Sequence, residues 1–319
     1  MNLNLLINNL TNPAFLFFIL GIVAVRMKSD LEIPANSAKF ISLYLLFSIG
    51  FKGGQELSHE TITLSLLGSM LFGVFISFII PCYTFYICKR FTSVENAAAI
   101  AASYGSVSAV TFVTAVSYLE FQQLHWHGHM VAVMALMEFP AIVTGLLLFA
   151  LYQQASGEKV AFKKHIHHAL TNGSVLLIIG SLLIGYCSNP IQAEGIKPFT
   201  NDLFKGFLAI FLLDMGIESG KKLNTFFQNG WFPILFAIGI PLFNGALFTY
   251  LAHFISDDIT NRFMFGILAA SASYIAVPAA MKLAIPKANA GLYLPMALTI
   301  TFPINITVGM ALYYQIAQL

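Results

Sequence analysis

Two short segments gather the residues of this chain best suited to holding small ions. Ser103-Tyr104-Gly105-Ser106-Val107-Ser108 lies inside one apolar run, and Ser271-Ala272-Ser273-Tyr274-Ile275-Ala276-Val277-Pro278 inside another. Serine and glycine disfavour helix interiors and bond their own backbone, so each segment reads as an interruption of a helix. Helices restarting near Ser108 and near Pro278, a residue suited to the first helical position, present free N–H groups and a partial positive charge. Two such ends suit a small anion, with serine hydroxyls as extra donors. The opposite helix ends and the unwound carbonyls suit a hard cation such as sodium. Small residues also serve as plain packing contacts between membrane helices. Their recurrence in two runs at equivalent depth favours a site.

Other polar groups within apolar runs are few. Glu138 precedes Phe139-Pro140 in mid-run. A carboxylate there costs at least about 2.5 kcal/mol unless paired or wet. It reads as a cation ligand or proton-linked group, or else as a protonated carboxyl bonded to a helix carbonyl. Thr299, Thr301 and Asn305 flank Pro303 and offer neutral oxygens, while Asn244 suits an interhelical hydrogen bond. Asp214 stands where Ser48 stands in an earlier run, with Glu218 a turn further on. The stretch His125-Trp126-His127-Gly128-His129 lacks the carboxylate, cysteine and spacing of a metal site. Cys82, Cys88 and Cys187 form no CxxC pair. No HExxH, GxSxG or Cys–His arrangement occurs in the runs, so an enzyme is not expected.

The elements that position these residues are membrane helices. Hydrophobic residues make up 58% of the chain and charged ones 9%, against about 25% charged in soluble domains. Thirty Phe and twelve Tyr suit lipid-facing surfaces and interfacial belts. A net charge of +2 is too small to argue for nucleic acid, and no basic cluster is interleaved with aromatics, so no nucleic-acid partner is expected. Met1 to Pro13 carries no positive charge, so the first apolar run is expected to be retained rather than cleaved. Ten runs near 9–26, 37–54, 63–88, 94–118, 129–152, 173–188, 202–219, 230–255, 261–284 and 291–316 approach the roughly 20 residues a spanning helix needs. Spans 4 and 9 carry the interruptions, each about 15 Å deep at 1.5 Å per residue. Twelve of the 16 Lys and Arg fall after odd-numbered spans, which predicts cytoplasmic odd loops and both termini outside.

The second half repeats the first. Gly50, Gly54 and Leu57 recur as Gly216, Gly220 and Leu223, Ala101-Ala102-Ser103 as Ala269-Ala270-Ser271, and Phe139-Pro140 as Phe302-Pro303. Five spans per copy would invert one copy relative to the other, the architecture of secondary transporters. The expected organisation is a first repeat at 1–152, a cytoplasmic linker at 153–172 and a second repeat at 173–319. The fold class is an all-α integral membrane protein of ten helices in two inverted five-helix repeats. The linker, with flexible Ala155-Ser156-Gly157 and basic, His-rich Lys159 to His168, either only joins the copies or docks a regulator.

The runs Ala102 to Phe112, Ala269 to Pro286 and Leu298 to Asn305 closely resemble the sodium-dependent bicarbonate transporters of cyanobacteria, the SbtA family, and the likeness covers essentially the whole chain. Ser103 stands where those relatives often carry a histidine before the tyrosine. The resemblance implies a homotrimeric symporter in a bacterial plasma membrane. A mobile core of spans 3–5 and 8–10 would work against a scaffold of spans 1, 2, 6 and 7. It implies bicarbonate at Gly105, Ser106, Val107 and Ser108, joined at the second break by Ser273, Tyr274 and Ala276. It implies sodium, the coupling ion, held by Ser103, Glu138, Ser271, Thr301 and Asn305. Cyanobacterial members are inhibited by a PII-like protein on the cytoplasmic face, and the central loop here is short for that family. A carrier of another small organic anion on the same scaffold is the alternative reading.

Overall fold

A computed structural model of the chain describes residues 13–59, 63–153, 173–227, 230–274 and 276–319. Among these the protein is helical, with no strand. In order come α1 (Pro13–Arg26), α2 (Ala35–Ser58), α3 (Leu64–Cys88), α4 (Val94–Gly105), α5 (Ala109–Phe121) and α6 (His129–Gln153). Then follow α7 (Gly173–Cys187), the short α8 (Pro190–Glu194), α9 (Phe204–Phe227), α10 (Trp231–Leu251), α11 (Ile259–Ala270), α12 (Ala276–Ala284) and α13 (Ala290–Ala317). Apart from Gln153, the expected linker lies outside the described residues.

The described parts of the apolar runs are mainly helical, and among the described residues five stretches are long and apolar enough to cross a membrane. These are Leu64–Cys88, Val94–Phe121, His129–Tyr152, Trp231–Phe254 and Ala290–Ala317. The apolar helices Phe15–Arg26, Leu176–Cys187 and Ile259–Ala270 are shorter. α2 and α9, at 24 residues each, are more polar, carrying Lys39, Lys52 and Glu56 in one and Lys205, Asp214, Glu218, Lys221 and Lys222 in the other.

Two packing groups are apparent. α1 lies along α9 and α2 along α7, the most extensive helix contacts in the fold. Glycines let these backbones close up. A Cβ at Gly50 would come within 2.9 Å of the Ile178 carbonyl, and one at Gly54 would overlap the Leu182 carbonyl, both on α7. Gly216 meets the Phe18 carbonyl and Gly220 meets Val25, both on α1. The repeated glycines thus each seat a helix from the other half of the chain.

The second group sets α3, α4 and α6 against one another, and α10 and α11 with α13. The α4–α5 stretch is its centre: 89% of its apolar window is buried, against 39% for α3 and for α10. Irregular backbone survives at membrane depth only when protein or water encloses it, and α4–α5 has that enclosure. Ser93 caps α4 by accepting the Asn96 N–H at 3.3 Å, and Asp258 caps α11 through the Asn261 N–H at 2.9 Å. Both helices then run for 12 residues, roughly 18 Å, before stopping. In α13 the backbone widens into π-helical turns on either side of Phe302–Ile304, accommodating Pro303, which cannot donate within the helix.

Candidate functional site

α4 closes on the Ser106 N–H, which still reaches the Ala102 carbonyl at 3.0 Å. Ser106 and Val107 follow, then Ser108 caps α5 by accepting the Thr111 N–H at 3.2 Å. α11 closes in the same way, with the Ser271 N–H on the Ile267 carbonyl at 3.0 Å, and α12 starts at Ala276. The Ser273 hydroxyl accepts the Val277 N–H at 3.3 Å. α12 therefore begins two residues before Pro278, which sits in the first turn, where a missing N–H costs nothing.

The two irregular segments bond to each other. The Ser273 N–H donates to the Ser103 carbonyl at 2.8 Å, and the Ser108 N–H donates to Ser271 Oγ at 3.0 Å. Each interruption thus satisfies part of the other just ahead of the helix restarts. What remains at the start of α5 are the N–H groups of Ala109 and Val110, which have no intrahelical acceptor.

Beside this junction is a narrow crevice with about 30 Å³ of room, lined by Val107, Ser108, Glu138, Ser273 and Tyr274 together with Ala109 and Val110. One water needs roughly 10–15 Å³ on this measure, so the crevice suits two or three waters or one small oxyanion. Glu138 comes from α6, just before the Pro140 kink position. Its Oε2 is buried and has no hydrogen-bond partner. The geometry sets an orphan carboxylate oxygen and the first N–H groups of α5 around one small space. That arrangement can hold an anion and a cation together, and no nucleophile–base pair accompanies it.

The fourth wall is Ser42, Leu45 and Leu46 of α2. Sequence reasoning placed α2 in the scaffold and missed these residues. The only signal was a serine on an otherwise apolar helix face.

The remaining candidates are not in the crevice's lining. Gly105 packs on α3, where an added Cβ would overlap Pro81 Cγ and lie 3.2 Å from Ala141 Cβ. The hydroxyls of Ser103, Ser106 and Thr299 are buried without a partner. Ser271 Oγ also donates to the Leu268 carbonyl at 2.9 Å. Thr301 Oγ1 donates to the Ala237 carbonyl and shares a bond with the Tyr104 hydroxyl, both at 2.8 Å. Asn305 bridges the Ala270 carbonyl at 2.8 Å and the Tyr313 hydroxyl at 3.0 Å. Ala276 supplies the first backbone turn of α12. Asn244 joins Tyr83 to the Ala269 carbonyl, an interhelical bond as expected. Asp214 is buried on α9, and Glu218 meets Lys221 at 3.4 Å; neither lines the crevice.

The histidines near α6 pair with carboxylates, His125 with Glu56 at 3.4 Å and His127 with Asp258 at 3.6 Å. Burial alone would raise the Asp258 carboxyl, but His127, Thr260 and the Asn261 N–H together hold it well below the usual carboxylate range. Among the described residues no group of three or more His, Cys, Asp or Glu could hold a metal ion.

No match was found among curated proteins. A family model does match, over residues 13–318 and hence essentially the whole chain. The chain belongs to the Na+-dependent bicarbonate transporter superfamily, whose members are transporters and not enzymes.

Proposed function

We propose that the protein imports bicarbonate together with sodium by alternating access, with both ions held at the crossing of two broken helices. Membership of the superfamily carries sodium-dependent bicarbonate transport. The observation that favours this mechanism is the crevice: a space of one-oxyanion size against a helix start, with a buried carboxylate oxygen left for a cation. A bound cation beside a bound anion offsets the cost of carrying either charge alone through a low-dielectric site. The size of the crevice disfavours a larger organic anion. On this reading bicarbonate sits by Val107, Ser108, Ser273 and Tyr274, close to Gly105, Ser106 and Ala276. Glu138 gives sodium its one charged ligand, and Ser103, Ser271, Thr301 and Asn305 are the neutral oxygens nearby.

The same reading takes the chain as ten spans in two inverted repeats. Its support is the pairing pattern, in which α1 with α9 and α7 with α2 exchange equivalent partners between halves. Crevice walls from α2 on one side and from α5, α6 and the second break on the other suit a core that moves against a scaffold. The trimer would form through scaffold helices, which need not move. The Lys and Arg distribution supports termini outside the cytoplasm. Uptake of labelled bicarbonate by the purified protein in liposomes, with and without an inward sodium gradient, tests the proposal. Uptake that ignores the gradient would refute it.

A further inference from the structure

A second cavity, of about 250 Å³, lies along the same two helices as the crevice. On α2 the lining moves from Leu45 to Lys52, and on α5 from Val113 to Glu120. Both steps are seven residues in the same chain direction, two helical turns or about 10 Å. The larger cavity is therefore a continuation of the α2–α5 groove, at the end that the Lys and Arg distribution assigns to the outside. Thr200, Asn201 and Lys205 complete its wall.

Its charges have an uneven layout. Glu120 of α5 forms an ion pair with Lys52 of α2 through one oxygen, and its other oxygen is 4.0 Å from Lys205 of α9. The Lys52 and Glu120 side chains are about one-quarter exposed, and Lys205 is 65% exposed. Lys52 also lies 5.6 Å from the face of Trp126. Two cations from one packing group thus converge on a single carboxylate from the other, leaving one positive charge in excess.

We infer that this cavity is an antechamber binding a small monoanionic oxyanion between Lys52 and Lys205, where Glu120 acts as a built-in competitor. The inference rests on the transport reading above for the identity of the anion, bicarbonate. Glu120 moves with the core, so displacing α5 separates its carboxylate from both lysines. An incoming anion then takes its place, two turns above the crevice. Convergent cations in a partly desolvated cleft raise the local concentration of an anion and the rate of its capture.

The test uses sodium-driven uptake of labelled bicarbonate by the full chain in liposomes. Lys52→Met and Glu120→Gln both break the ion pair. If the pair is only a structural latch, both variants change KM in the same direction. The antechamber requires opposite signs: Lys52→Met raises KM about three- to tenfold, and Glu120→Gln lowers it. Lys205→Met, at an exposed position without a tight partner, should raise KM like Lys52→Met and weaken the ionic-strength dependence of uptake. Shifts of the same sign, or no shift in any variant, overturn the inference.

A readout independent of transport separates this outcome from failure of the functional reading. In a Cys187→Ser background, Asn201→Cys should react preferentially with an anionic over a cationic thiosulfonate. Lys205→Met should reduce that preference about three- to tenfold. An unchanged preference overturns the antechamber even if bicarbonate uptake is intact. A changed preference in a protein that carries no bicarbonate sustains the anion site and removes only the substrate.

Discussion

Replacing Glu138 by glutamine keeps the side chain's size and removes its charge, with two consequences of opposite sign. In sodium-free buffer the carboxylate has a buried oxygen without a partner in a small crevice. Relieving that charge is expected to stabilise the protein by about 1–2 kcal/mol, part of the cost of a charge at membrane depth. With sodium present the order reverses. A cation bound by the wild type at 100 times its dissociation constant adds about 2.7 kcal/mol. A unit charge pair about 4 Å apart at an effective dielectric of 20 is worth at most about 4 kcal/mol, and heavier screening lowers it towards about 1.4 kcal/mol. The glutamine variant should therefore lose between about tenfold and a thousandfold in sodium affinity. The assay is thermal unfolding with sodium exchanged for choline at constant ionic strength. The wild-type midpoint should climb with sodium, and that of Glu138→Gln should start higher and climb only at sodium concentrations about ten- to a thousandfold greater. A variant whose midpoint climbs with the same half-saturation as the wild type would show that Glu138 is not the charged ligand.

Other perturbations separate packing from transport. Gly105→Val should cost about 1–3 kcal/mol by overpacking against Pro81, whereas Gly68→Ala, inside α3 with nothing within 4 Å of the new Cβ, should stabilise by about 0.4–1 kcal/mol and raise the melting midpoint slightly. Asn305→Ala strips a partner from the Ala270 carbonyl and from the Tyr313 hydroxyl, so it should cost about 1–3 kcal/mol in choline as well as in sodium. Asp258→Ala removes the cap of α11 and should cost about 0.5–2 kcal/mol, with Asp258→Asn milder because asparagine also caps. The Asp258 carboxyl is lowered in the folded state, so its contribution is complete above about pH 4 and disappears as pH falls through the lowered value. The stability gap between wild type and Asp258→Ala should accordingly narrow in acid melts below pH 4.

Sequence alone determined the class of molecule and the address of its irregular backbone. Long apolar runs without alternation can span lipid only as helices, so the helices were legible, and the described parts of the runs are mainly helical in the structure. The serine- and glycine-rich segments marked where α4 and α11 end to within a few residues, because local propensity decides where a helix stops. The full set of spans was less secure. Among the described residues length and hydropathy support five, because three apolar helices are shorter and because α2 and α9 dilute their apolar faces with charges.

Tertiary structure decided how those pieces answer one another. That the Ser108 N–H goes to Ser271, and the Ser273 N–H to the Ser103 carbonyl, depends on two segments some 165 residues apart meeting at one point. No local pattern encodes such a meeting. The packing of Gly105 is a long-range fact for the same reason: its missing side chain makes room for Pro81 of α3. The α2 wall of the crevice, and the convergence of Lys52 and Lys205 on Glu120, likewise join residues from helices distant in sequence. Periodicity and propensity act over a few turns of chain, whereas the shape and charge of a cavity are set by which distant turns pack together.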